Sequence, residues 1–61
     1  MSGKAEAIIE FTRVGSVVRV TAVDAATGIE AVIQGPASAG EGLLREAALK
    51  KLSYLLARQK G

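Results

Sequence analysis

Hydrophobic and polar residues alternate with a period of two through the first half of the chain and change to a helical period in its last third. From Ala5 onward, Ala7, Ile9 and Phe11 alternate with Glu6, Ile8, Glu10 and Thr12, the spacing of a strand with one buried face. Gly15-Ser16 then suits a two-residue type II′ hairpin, with Gly at the first central position, where φ is positive. A turn at that place sets the register. Val14 falls opposite Val17, Thr12 opposite Arg19, Phe11 opposite Val20 and Ile9 opposite Ala22, which brings the apolar residues of both strands to the same side.

The second strand, Val17 to Val23, is rich in β-branched residues and ends at Asp24-Ala25-Ala26-Thr27-Gly28. Asp and Thr can hold a tight turn through local side-chain bonds, and Gly28 can take the left-handed position. A four-residue loop there sets Asp24 opposite Ile29, Ala22 opposite Ala31 and Val20 opposite Ile33. One sheet face then collects Ile9, Phe11, Val18, Val20, Ala22, Ile29, Ala31 and Ile33, and Gly35-Pro36 ends the third strand.

From Ser38 to Lys60 the period is helical. Leu44, Ala48, Leu49, Leu52, Leu55 and Leu56 share one stripe, with Glu46, Lys50, Ser53 and Lys60 behind it. Ser38 and Glu41 have the spacing of a capping box, in which each side chain bonds the other residue's backbone N–H. Gly40 and Gly42 weaken the first turn, so this helix depends on packing its Leu stripe against a partner. The expectation is an α+β fold: a three-stranded antiparallel meander with one C-terminal amphipathic helix across it, βββα, as a single domain over residues 1–61.

Length changes the picture by setting how much core there can be. A chain of 61 residues buries only about 60% of its unfolded surface and is marginally stable, so a helper such as a disulfide, a metal or oligomerisation is expected. There is no Cys and no His, which removes disulfides, zinc sites and thiol or imidazole catalysis. Oligomerisation is what remains. The N-terminus shows no signal-peptide pattern and no segment approaches the ~20 apolar residues of a membrane span, so a cytoplasmic protein is the expectation.

The net charge of +2 is unevenly spread. Five cations and one carboxylate from Arg45 onward give that part +4, whereas Met1 to Leu44 carries −2. Cations near a helix C-terminus complement the macrodipole, and this accounts for much of the asymmetry. The alternative is a nucleic-acid patch made of Lys50, Lys51, Arg58 and Lys60.

Little in the chain points to catalysis. Ser16 and Thr27 fall in turns, Ser38 at the helix start and Ser53 on the polar helix face. Glu6 and Glu10 lie four apart on one strand face, too far for a shared-proton dyad. The run QGPASAGEG lacks the Lys-Ser/Thr of a phosphate loop and the GxGxxG pattern. No cofactor, no metal and no enzyme activity are expected. What is left over is apolar surface: Ile8 opposite Val23 with Val32 close by on the second sheet face, and a minor helix stripe of Leu43, Ala47 and Tyr54 that suits either packing against loops or an interface. With two sheet edges open to pairing, these residues indicate a protein-interaction module acting as a homodimer, with Ile8, Val23, Val32, Leu43 and Tyr54 as the candidate partner surface.

Two resemblances bear on this reading. Three strands followed by a helix, with the entry QGPASAGEGLLREAAL, resemble the C-terminal part of double-stranded-RNA-binding domains. That family grips phosphates with a Lys-rich cluster at the helix start, where this chain has Glu41 and no cation before Arg45, and its first helix is missing here. A second resemblance covers nearly the whole chain. Glu10-Phe11-Thr12-Arg13, Val18-Arg19-Val20-Thr21-Ala22, Asp24 with Thr27-Gly28, and Gly35-Pro36-Ala37-Ser38 resemble a family of very short alphaproteobacterial proteins classed only as a domain of unknown function. It implies a stand-alone cytoplasmic protein and assigns a role to no residue.

Overall fold

The structure, a computed structural model, describes residues 6–59. Strands β1 (Ala7–Val14), β2 (Val17–Asp24) and β3 (Glu30–Pro36) are followed by a 3₁₀ turn over Ala37–Ala39 and by helix α1 (Glu41–Gln59). The strands form one antiparallel sheet in the order β1-β2-β3, and α1 packs on it. This is the βββα arrangement that the change of hydrophobic period implies.

Turn chemistry sets the register. Gly15 has φ 62 and no residue other than glycine has a positive φ among the described residues, so the first turn is II′ rather than I′, which needs two positive φ values. Val14 accordingly faces Val17, Phe11 faces Val20 and Ile9 faces Ala22. At the second turn the Asp24 carboxylate accepts from the Thr27 N–H at 2.9 Å and from its hydroxyl at 2.8 Å. Gly28, at φ 78, donates its N–H to the Asp24 carbonyl, and Asp24 N–H donates to the Ile29 carbonyl. These bonds let Asp24 lie buried, and no buried side-chain polar atom among the described residues lacks a partner. Ala22 faces Ala31 and Val20 faces Ile33.

The core is built from Val18, Val20, Ala22 and Ala31 of the sheet and Leu44, Ala48 and Leu52 of the helix, with Ile9, Phe11, Ile29, Ile33, Leu49, Leu55 and Leu56 half-buried around them. The predicted sheet face is therefore the one that meets the helix. The predicted Leu stripe is narrower than its sequence pattern, since the fully buried line runs i, i+4, i+8 through Leu44, Ala48 and Leu52. Each Val or Leu buried in such a core contributes about 1.5–3 kcal/mol, so every member matters in a domain this small.

The helix start differs from the expected capping box. Ser38 sits in the 3₁₀ turn and makes no side-chain hydrogen bond among the described residues. The helix begins three residues later, at Glu41, with the Gly40 carbonyl accepting from Leu44 N–H at 3.2 Å. Gly40 has φ 90, a conformation that breaks the 3₁₀ turn from the helix and that a side chain at this position would resist. It is a hinge between two turns rather than a weak residue inside one. Gly35 likewise does more than end a strand. A Cβ built there would stand 2.5 Å from Leu44 Cδ2, so an added side chain would force the end of the buried Leu44 side chain to shift.

Candidate functional site

The connection from β3 to α1 is only four residues long, and it starts the helix above the end of β3. As a result α1 lies across β3 and β2 and scarcely reaches β1. A sheet of three strands spans about 10 Å between its outer strand axes before side chains are added, and one helix, about 10–12 Å across, cannot cover all of it from an edge. The two edges of the sheet consequently differ.

At the β3 edge, Lys51 reaches down from the helix and its Nζ donates to the Val32 carbonyl at 3.0 Å. Pro36 closes the same strand without an N–H to offer. At the β1 edge the backbone is unpaired among the described residues. The side chains of β1 are all exposed apart from half-buried Ile9 and Phe11, and Ile8 and Val14 are 61% and 74% exposed.

The helix-free face of the sheet is arranged in rows. Ile8 and Val23 face each other at one end, and Val14, Val17 and Pro36 line up at the other. Between them run Glu10 with Thr21 and Val32, then Thr12 with Arg19 and Gln34. A depression lined by Thr12, Val14, Val17, Arg19 and Gln34 occupies the second end. Apolar surface is thus split into two ends by a polar middle, with Val23 half-buried and Ile8, Val14, Val17 and Val32 exposed.

The five candidate partner residues do not form one surface. Ile8, Val23 and Val32 belong to the sheet's outer face, whereas Leu43 and Tyr54 belong to the helix, which packs on the opposite face. Leu43 is 64% and Tyr54 59% exposed, so neither packs against a loop. Tyr54 instead carries Arg58, whose guanidinium carbon lies 5.6 Å from the ring centroid and whose Nη1 donates to the Tyr54 hydroxyl at 3.2 Å. Val14 and Val17 lie on the outer sheet face as the alternation predicts, but are not among the five candidate partner residues. The signal was present, because both stand at the II′ turn with alternation placing them away from the core.

The four candidate nucleic-acid cations are not pooled either. Lys51 is engaged with the Val32 carbonyl and Arg58 with Tyr54. Lys50 lines a depression with Glu46, Leu49 and Ser53, and Lys60 lies outside the described residues. Arg13 donates from Nε to the Gly15 carbonyl at 2.8 Å, and Arg19 is on the outer sheet face. Among the described residues no group of three or more acidic side chains comes together in a metal-binding arrangement, and no helix is long and apolar enough to cross a membrane.

A family model matches residues 4–59, all but the first three and last two residues of the chain. The chain belongs to the DUF6898 family. That family is a domain of unknown function, so membership assigns no chemistry to any residue. No significant match was found among curated proteins or solved structures.

Proposed function

We propose that this DUF6898 protein is a small non-enzymatic interaction module that works as a homodimer in the cytoplasm. The observation that carries the reading is the uncovered edge strand. In β1 the outward backbone groups of Ala7, Ile9, Phe11 and Arg13 are unpaired among the described residues and stand beside highly exposed Ile8 and Val14. Native sheets ordinarily shield such an edge with a helix, a lysine or a proline, as β3 does here, and an unshielded one is a ready template for another chain. The small core adds to the argument, since a domain of this size gains stability from a second copy.

Sedimentation equilibrium of the intact chain over micromolar concentrations tests the reading. A reversible monomer–dimer equilibrium or a stable dimer is the expected result. A monomer throughout that range overturns it.

A further inference from the structure

The alternation of backbone groups tells which atoms on β1 await a partner. Ala25 N–H donates to the Glu6 carbonyl at 3.0 Å, and in an antiparallel ladder hydrogen-bonding direction alternates along the strand. Even-numbered residues of β1 therefore turn their N–H and C=O toward β2, while Ala7, Ile9, Phe11 and Arg13 turn theirs outward. Among the described residues, α1 packs mainly on β3 and β2 rather than over this edge.

We propose that two copies join edge to edge, β1 antiparallel to β1, about a two-fold axis at Phe11, giving one six-stranded sheet. This inference rests on the homodimer reading above and specifies its interface. The register follows from chemistry. A two-fold axis normal to the sheet makes facing residues share a sheet face, so the axis passes through a residue position. Centred on Glu10, it would set two carboxylates directly opposite each other and put Ile8 against the partner's Thr12. Centred on Thr12, it would oppose Glu10 to the partner's Val14 and leave Ile8 against the turn. Centred on Phe11, it sets Ile8 against the partner's Val14 and Glu10 against the partner's Thr12.

In that last register each exposed apolar end of the outer face meets its counterpart. Val17 and Val14 of one copy continue into the partner's Ile8 and the partner's Val23 as a single cross-strand row, and symmetry supplies a second row. On the helix side the two half-buried Phe11 rings meet at the axis. Ile9, Phe11 and Arg13 supply the outward backbone groups for the new ladder.

The absence of cysteine makes the register directly testable. Glu10 and Thr12 are exposed, so Glu10→Cys and Thr12→Cys are tolerated by the fold. In the proposed register these positions form a non-hydrogen-bonded pair with Cα atoms about 4.5 Å apart, inside the range a disulfide spans. Identical positions are diagonal neighbours about 7–8 Å apart, out of reach. The two variants are oxidised separately and mixed, with copper-phenanthroline and dissolved oxygen, and read on a non-reducing gel. The expected result is a band of twice the mass in the mixture and loss of that band in either variant alone. Cross-linking of Glu10→Cys with itself as efficiently as in the mixture overturns the register. A dimer by sedimentation that yields no covalent product in the mixture overturns the β1 edge as the interface and leaves the homodimer standing. A monomer by sedimentation overturns both.

Discussion

The two edges of this sheet are made from strands of similar length and have opposite fates. The β3 edge lies under α1, receives Lys51 at the Val32 carbonyl and ends in Pro36. The β1 edge lies beyond the helix and carries Ile8 and Val14 into solvent. The cause is connectivity. Because β3 leads into α1 through four residues, the helix must begin beside β3, and a single helix cannot also reach the far strand. The edge distant from the C-terminal helix is thus left bare, and it is there that the proposed second copy would add.

Four substitutions break or sharpen this comparison. The largest effect is expected from Leu52→Ala, which hollows the seam between α1 and the covered strands. It should cost about 2–5 kcal/mol in chemical denaturation, enough to unfold much of the population, and an unchanged midpoint would show that the helix does not hold β2 and β3. Next comes Gly35→Ala. Its methyl would displace the buried Leu44 side chain from the covered edge, at about 1–3 kcal/mol by the same assay. A neutral result would mean that the close approach of α1 to β3 is slack.

On the open side, Phe11→Ala removes a half-buried ring, so the folded monomer should lose less, about 1–2 kcal/mol. The sharper consequence is in association. Sedimentation should show the variant more dissociated than the parent chain at equal concentration, and undiminished dimerisation would relocate the interface. Lys51→Ala is the smallest in stability, below about 1 kcal/mol for one exposed hydrogen bond. It should nevertheless expose the Val32 carbonyl and raise concentration-dependent light scattering, because a second edge becomes available. Scattering equal to that of the parent chain would show that Lys51 guards nothing.

The candidate surface was legible only in part. That Ile8 and Val23 stand together on the outer face follows from alternation and from the Gly15 turn. That Leu43 and Tyr54 lie on a different side of the molecule from them depends on which way the helix packs, and a list of exposed apolar residues does not contain that information. The basic helix end shows the same division. Lys51 and Arg58 look alike as charges in the sequence, but one is bonded to a strand carbonyl and the other lies over a tyrosine.

Local chemistry along the chain, by itself, determined the elements, the faces and the strand register. Period-two alternation and two glycine-bearing turns act over a handful of neighbouring residues, and adjacent antiparallel strands carry that short-range information across the sheet. Only the tertiary structure decided where the helix starts, how near it comes to β3 at Gly35, which edge it shelters and which it leaves bare. Those outcomes depend on the hinge at Gly40 and on packing between residues far apart in sequence, where the position of a whole rigid helix is settled by contacts that no local pattern encodes.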